Sequence, residues 1–180
     1  MSLQLNTPPA CEPVSLDQAK AWLRVESGND EDALIAALIP AARARAEWHT
    51  GRAFVTQGWT LWLDGTAACI DIPLPPLQAV TAVTVYDRDG NATVLDSGDY
   101  IVDIAGSRLV LKGAPANRRA ANGIAIAFTA GYGDAADVPA PLAAAILQIV
   151  SSLYEHRGGD AAPTPDSALA LLAPYRTIKL

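Results

Sequence analysis

The chain has 180 residues, of which 51% are hydrophobic and 18% are charged, and its formal net charge is −6. This composition is typical of a globular protein and excludes a disordered chain. The negative charge argues against a protein that grips nucleic acid, because such a grip needs clustered Lys and Arg to displace phosphate counterions.

Two helices are predicted near the amino-terminal end of the chain. Ser15 and Gln18 have the spacing of a capping box and predict a helix over residues 15–24. Helical periodicity predicts a second helix over residues 30–50. Its predicted buried stripe consists of Leu34, Leu38, Ala41 or Ala42, and Trp48. Pro40 lies inside this pattern and is expected to kink or break the helix, because proline lacks a backbone N–H.

A β region is predicted over residues 54–130, where the hydrophobic period falls from about 3.6 residues to about 2. The predicted strands are residues 60–65, 69–72, 80–86, 92–95, 100–104, 107–111 and 123–129. The first two are interpreted as partners joined by a turn that contains Gly65. Asp89-Gly90 is a strong hairpin signal and predicts that the next two strands pair.

The carboxyl-terminal part of the chain is predicted to be helical again. A long helix is expected over residues 139–157, with a buried stripe of Leu142, Ile146, Ile149 and Leu153. Residues 158–164 are interpreted as a linker, and residues 165–180 contain a helix too short to be stable alone in water. The whole pattern predicts an α+β fold. N-terminal helices and a long C-terminal helix pack with an antiparallel β-sheet region in a body of residues 1–157, and residues 165–180 form a helical docking arm.

The end of the chain carries large side chains up to its last residue, whereas a frayed terminus is usually small and polar. We therefore expect it to dock on its own domain or on another chain. The candidate partner-binding residues are Leu169, Leu172, Tyr175, Arg176, Ile178 and Leu180. Arg118 and Arg119 form a dibasic step in a loop, which indicates either a solvated loop or a contact with a strongly acidic partner.

No pattern in the chain predicts catalysis or a bound cofactor. His49 and His156 lie at predicted helix C-termini, where the helix dipole favours a cation. Residues 87–91 lack the spacing of a calcium loop and are explained by the hairpin turn. The consecutive acidic residues 30–32 favour a helix N-terminus over a metal cluster, because they cannot share one helical face. Four scattered carboxylates leave a catalytic acid pair open as an alternative: Asp64, Asp71, Asp99 and Asp103.

Two other features concern redox state and membranes. Cys11 and Cys69 lack the spacing of metal ligands, so we expect two unpaired thiols in a cytoplasmic protein. The apolar stretch within residues 138–154 has helical periodicity and contains two prolines near its start. It is therefore interpreted as a core helix and not as a membrane span.

The order of these segments resembles the head–tail connector, or adaptor, proteins of long-tailed phages, prophages and gene transfer agents. The resemblance covers residues 15–180 and includes the acidic-capped helix and a helix that begins with proline. The short segments that carry it are residues 44–52, 56–59, 72–77, 128–133, 154–157 and 171–176. Pro40 departs from the family pattern, in which an unbroken helix is expected.

This resemblance implies a structural head-completion protein without enzymatic activity or cofactor. Such proteins form a ring of about a dozen subunits on the portal vertex, join the capsid to the tail and line the DNA passage. The implied partners are neighbouring copies, the portal protein, a downstream stopper or tail-completion protein, and passing DNA that is bound without sequence specificity. The implied location is the virion neck, after assembly in the host cytoplasm, with no membrane contact. The alternatives are another neck or tail-completion protein of the stopper class, or a small enzyme that uses the scattered carboxylates.

Overall fold

The computed structural model describes residues 1–26, 31–65, 67–115, 117–157 and 163–177. The chain divides into two compact units. The sheet unit comprises Met1–Ala10 and Thr56–Tyr132, and the helical unit comprises Cys11–Val55 and Gly133–Leu180. The predicted α+β class is confirmed, with helices and antiparallel sheets in separate units.

Two antiparallel sheets form the sheet unit. Their strands are β1 (Ser2–Thr7), β2 (Gln57–Leu63), β3 (Cys69–Asp71), β4 (Leu77–Tyr86), β5 (Ala92–Val94), β6 (Tyr100–Asp103), β7 (Arg108–Leu111) and β8 (Ile124–Ala130). The five-stranded sheet has the order β1-β2-β8-β4-β5, and the three-stranded sheet has the order β3-β7-β6. On the central strands β2 and β8, Leu61 lies opposite Ile126 and both are fully buried. This face of the larger sheet supplies much of the core of the unit.

The hairpin predicted at Asp89-Gly90 is confirmed, since β4 and β5 pair across it. The Asp87 carboxylate accepts hydrogen bonds from the backbone N–H groups of Asp89 (2.9 Å) and Asn91 (2.8 Å). Gly90 has a φ of +90°, a backbone conformation that residues with a side chain rarely adopt. The predicted pairing of residues 100–104 with residues 107–111 is also confirmed, as β6 with β7.

One prediction for the strands is wrong, and one strand was missed. Residues 60–65 and 69–72 are not partners, because β2 pairs with β1 and β8 whereas β3 pairs with β7 in the other sheet. The strand β1 was not predicted at all. It pairs in register with β2, for example Leu3 opposite Leu61, across more than fifty residues of chain. No local turn links these partners, so a short-range signal could not reveal the pairing.

The helical unit contains α1 (Leu16–Leu23), α2 (Asp32–Thr50), α3 (Ala140–Glu155) and α4 (Asp166–Leu172). Helix α3 packs against α2 and α4, and α1 packs against α2 and α3. The predicted capping box is confirmed, because Ser15 Oγ accepts from the Gln18 backbone N–H (3.2 Å) and Gln18 Oε1 accepts from that of Ser15 (2.9 Å). Of the predicted α3 stripe, Leu142, Ile146 and Ile149 are fully buried and Leu153 is half-buried. Among the described residues, no helix is long and apolar enough to cross a membrane.

Pro40 does not break the second helix, so that part of the prediction is wrong. Helix α2 runs without interruption from Asp32 to Thr50 with Pro40 inside it. The proline removes the hydrogen bond that would reach the carbonyl of Ala36. Because Ala36 is exposed to solvent, water can satisfy this carbonyl, and the cost of the missing bond falls.

The predicted buried stripe of α2 is also wrong. The buried residues of this helix are Ile35, Ile39, Ala42, Ala46 and Thr50. From the predicted stripe, Leu34 is 37% exposed and Trp48 is 86% exposed. Trp22 of α1 is 49% exposed, so it is not a core residue. Helix α2 therefore has a second apolar stripe that the described residues leave exposed.

The acidic residues at the start of α2 form ion pairs within the helical unit. The Glu31 carboxylate accepts hydrogen bonds from the Tyr154 hydroxyl and from the Arg157 guanidinium. The Asp32 carboxylate pairs with the ammonium of Lys20, which is 5% exposed. Asp30 lies outside the described residues. The acidic side chains thus join α2 to α3 and α1, in addition to any favourable effect of the helix dipole.

We predict that Glu31→Gln weakens the pH dependence of folding. The hydrogen bonds from Tyr154 and Arg157 lower the pKa of Glu31 from 4.5. A lowered carboxyl pKa stabilises the folded protein above the unfolded pKa, and this stabilisation is lost as the pH falls through the folded pKa. The free energies of unfolding of wild type and variant should therefore differ near neutral pH and converge as the pH falls through the lowered pKa of Glu31. Urea denaturation over a pH series measures the difference.

The matched control for this prediction is Glu26→Gln. Glu26 is exposed and makes no ion pair with a described residue. The free energy of unfolding of Glu26→Gln should therefore depend on pH in the same way as that of wild type. Equal profiles for Glu31→Gln and Glu26→Gln would contradict the stabilising role of Glu31.

Candidate partner-binding sites

The first candidate site is the carboxyl-terminal segment, residues 163–177, which folds onto the helical unit. Its helix α4 buries Ala168 and Leu172 completely and packs mainly against α3. Two side-chain bonds hold its beginning. Ser167 Oγ donates to Gln148 Oε1 (2.6 Å), and Ser152 Oγ donates to the Pro163 carbonyl (2.9 Å). The expectation that the short helix packs on another element is therefore confirmed within its own chain.

The end of this segment is attached to the C-terminus of α2. The Thr177 backbone N–H donates to the Thr50 carbonyl (2.8 Å), and its hydroxyl donates to the Gly51 carbonyl (3.4 Å). Arg52 Nε donates to the carbonyl of Tyr175 (2.5 Å). The last carbonyls of a helix have no donor within the helix. The terminal segment supplies one, and α2 in return fixes the path of the chain up to Thr177.

The six predicted binding residues have different surroundings. Leu172 is fully buried and contributes to the core of the helical unit. Leu169 and Tyr175 are half-buried, and Arg176 is exposed. Arg176 makes no ion pair with any carboxylate in the described part of the chain. Ile178 and Leu180 lie outside the described residues. Leu169, Tyr175 and Arg176 are thus the predicted residues that remain at least partly exposed in this segment.

The second candidate site is an arginine-lined depression in the sheet unit. It has a volume of about 420 Å³ and is lined by Arg88, Arg118, Arg119 and Ala120. The Arg119 guanidinium lies 4.6 Å from the centroid of the Tyr86 ring, a cation–π contact. Its Nε donates to the carbonyl of Asn122 (3.0 Å). Arg119 therefore holds the loop in place as well as lining the depression.

The loop is fixed from its other side by Asp64. One carboxylate oxygen of Asp64 accepts from the Asn122 backbone N–H (2.8 Å), and the other lies 3.3 Å from the amino group of Met1. The bond from Asn122 and the charge of the amino group lower the pKa of Asp64. Asp64 thus stays ionised at neutral pH and serves as an anchor for the loop.

The Arg118 side chain has the property expected of an anion-binding group. Its Nε is buried and has no hydrogen-bond partner among the described residues, whereas buried N–H groups are usually paired. Arg118 reaches the depression because its backbone forms an isolated bridge with Asp87, beside the exposed Arg88. Guanidinium groups bind planar carboxylates and phosphates through paired hydrogen bonds. In a chain of net charge −6, this cluster is a local positive surface.

Several acidic and histidine side chains that could have been catalytic or metal-binding instead form hydrogen bonds within the fold. The pKa of Asp103 is lowered by hydrogen bonds from the Gly106 backbone and from Arg108, and the pKa of Asp87 is lowered chiefly by Asn91. A general acid at neutral pH requires a raised carboxyl pKa, which is the opposite shift. His156 Nδ1 lies 2.8 Å from the Ser152 carbonyl of its own helix. Cys11 and Cys69 are free and exposed. In the described ranges, no group of three or more His, Cys, Asp or Glu could hold a metal ion.

Two surface features were missed by sequence reasoning. Arg88 joins Arg118 and Arg119, although thirty residues of chain separate it from them, and no short motif could show this. Trp48 was assigned to the core, but its side chain is 86% exposed. The signal that could have found it is the presence of apolar residues on two faces of α2, which is typical of a helix buried on both sides.

The complete fold is similar to that of chains in solved gene transfer agent particles. One comes from the neck of an empty particle with C6 symmetry, with a TM-score of 0.82 and 28% identity. A second, from the virion of a native particle, has a TM-score of 0.82 and 27% identity. A third, from the neck of a native particle with C12 symmetry, has a TM-score of 0.76 and 27% identity. Each comparison covers 100% of this chain and 97% of the other chain. The fold is thus that of a structural protein of such particles.

A sequence profile then identifies the family. The profile of the phage gp6-like head–tail connector protein matches residues 13–108, which is more than half of the chain. The chain belongs to the phage gp6-like head–tail connector family, and the resemblance seen in the sequence is confirmed. A search of curated proteins found no significant match.

We predict that Leu172→Ala destabilises the helical unit. Leu172 is fully buried, and truncation of such a leucine costs about 2–5 kcal/mol through lost burial and the cavity that remains. Leu169→Ala, at a half-buried position of the same helix, is the control and should cost distinctly less. Urea denaturation gives both free energies of unfolding. Equal losses for the two variants would show that α4 is not held by Leu172.

Proposed function

We propose that this chain is a head–tail connector that assembles as a ring in the neck of a phage-like particle and joins the head to the tail. The observation that carries the proposal is the match over the whole chain to neck structures with C6 and C12 symmetry. The family assignment supports the same conclusion. Such a ring requires each subunit to contact its neighbours through two different surfaces.

We infer that the role is structural and not catalytic. The family and the structural neighbours support this inference. The carboxylates with shifted pKa values are held as ions by turns, by ion pairs or by a loop anchor. The negative net charge of the chain also suits a ring through which DNA passes, because phosphates are not retained by an acidic wall.

The end of the chain is the proposed site for the portal or an adjacent subunit. Because the segment is attached to the helical unit as far as Thr177, the binding part is a short end and not a free arm of residues 165–180. Tyr175 and Arg176 are its proposed anchors, since tyrosine and arginine are enriched at interface hot spots. Ile178 and Leu180 lie two and four residues after Arg176 in the sequence and are proposed to fill apolar pockets of the partner.

We predict that Arg176→Glu reduces attachment to capsids that carry the portal but lack the connector. The exposed guanidinium is replaced by a carboxylate, and loss of a hot-spot arginine weakens binding by about tenfold or more. Attachment is measured by co-sedimentation with the capsids and by negative-stain microscopy. Arg24→Glu, which reverses the charge of another exposed arginine, should bind like wild type.

The outcomes separate the candidate functions. Normal attachment by both Arg176→Glu and a variant truncated after Ala173 would overturn the proposed role of the chain end. Attachment of wild type only to tail-side components, with none to portal-bearing capsids, would instead favour the stopper or tail-completion class.

The arginine-lined depression is proposed to bind an acidic surface of a partner in the neck. The support is the buried Nε of Arg118, which has no hydrogen-bond partner among the described residues, together with the guanidinium groups of Arg88 and Arg119. We predict that Arg118→Glu weakens particle assembly most strongly at low salt, because charge interactions are screened at high salt. Arg119 is not substituted, since it also holds the loop on Tyr86. Arg24→Glu, at an exposed arginine that makes no ion pair with a described residue, is the control. An equal loss of particle assembly for both variants would indicate that the effect depends only on the net charge of the chain.

A further inference from the structure

The solvent side of α2 is apolar, which is unusual for a surface helix. We define the outer α2 face as the side chains Leu34, Ala37, Leu38, Ala41, Ala44 and Trp48. Trp48 is 86% exposed and Leu34 is 37% exposed. The three alanines are exposed and Leu38 is half-buried. At about 100° per residue, these side chains share one arc of the helix. A surface helix ordinarily carries charged residues on this arc.

The opposite arc of α2 already supplies the core of the helical unit. Ile35, Ile39, Ala42 and Ala46 are at most 3% exposed. A helix that is apolar on two opposite sides is typically buried on both. The outer α2 face is therefore left without a packing partner among the described residues.

We propose that the outer α2 face binds a neighbouring copy of this chain. The inference rests on the proposed ring. The neck structures that this chain matches at full length have C6 or C12 symmetry, so copies lie side by side around an axis. A closed ring is built from heterologous contacts, in which one face of each copy meets a different face of the next.

The charge of the chain favours this face for contact between copies. Each copy has a net charge of −6, so two copies repel unless the surfaces that meet are neutral or complementary. The six side chains of the outer α2 face are uncharged, and the charged residue within the arc is the basic Arg45. The nearby acidic residues point elsewhere, because Asp32 pairs with Lys20 and Glu47 pairs with Arg43.

The size of the face fits a contact that depends on ring closure. Helix α2 has 19 residues and is therefore about 28 Å long and about 10 Å wide with its side chains. It can bury a few hundred Å², less than the roughly 800 Å² per partner of a stable interface. The contact is thus weak between two copies and is reinforced when every copy is held from both sides. Alanines allow close approach, and Trp48 supplies the large apolar anchor that is typical of a hot spot.

The test compares two exposed tryptophans in the full-length protein. Trp48→Glu should reduce the self-association constant at least about tenfold, measured by sedimentation velocity over a concentration series. Trp22→Glu introduces the same charge at the exposed tryptophan of α1 (49% exposed) and should leave the constant unchanged. Ala41→Glu tests the middle of the face. Circular dichroism and urea denaturation should give wild-type folding for all three variants, because the substituted side chains are exposed.

A photocrosslinking amino acid at position 48 identifies what covers the face. Crosslinked multimers of this chain support the proposal. If neither Trp48→Glu nor Ala41→Glu weakens self-association, the proposal for the outer α2 face is wrong. The proposed connector function would not be affected by that result. The proposal also fails if position 48 crosslinks to the portal instead of another copy, or gives no crosslinked multimer at the highest soluble concentration. The connector function has a separate test in the attachment of wild type to portal-bearing capsids.

Discussion

Arg43 holds the long helix α2 against the chain segments that precede and follow it. Its guanidinium donates to Glu12 from Nε (2.7 Å) and to Glu47 from Nη1 (2.7 Å). Glu47 in turn accepts from the backbone N–H of Phe54 (2.8 Å). Burial alone would lower the pKa of Arg43, but the bonds and charges of the two carboxylates outweigh it and raise the pKa. One cation therefore fixes the position of the chain before α1 and after α2.

The proposed binding end of the helical unit depends on this placement of α2. A seven-residue helix such as α4 is not stable alone in water, and it becomes ordered here because Ala168 and Leu172 are buried. Its continuation then reaches the end of α2, where the Thr50 carbonyl accepts from Thr177. The position of the chain at Thr177 is consequently set by α2. A docking end that starts from a fixed point loses less conformational entropy on binding than a free arm would.

The sequence correctly predicted the structural features that depend on residues close together in the chain. The capping box of Ser15 and Gln18, the hairpin at Gly90 and the α3 stripe are local patterns, and they are confirmed. Pairing of β1 with β2 and the approach of Arg88 to Arg118 join distant parts of the chain, so no local pattern could show them. For the candidate site, the sequence indicated the terminal residues and the dibasic loop. It could not show that Leu172 belongs to the core, because a leucine on a short helix has the same pattern in either role.

Helix α2 has two apolar stripes, and hydrophobic periodicity does not show which one is buried. Polar contacts decide between them. Leu34, Leu38 and Trp48 form as regular a stripe as Ile35, Ile39 and Ala42, so periodicity alone supports either orientation. Arg43 must face Glu12, however, and its position on the helix lies next to the isoleucine stripe and away from Trp48. Rotating α2 to bury Trp48 would separate the half-buried Arg43 guanidinium from Glu12, and a partly desolvated charge without its partner is costly. The ion pair thus turns the isoleucine stripe inward and leaves the stripe that contains Trp48 exposed.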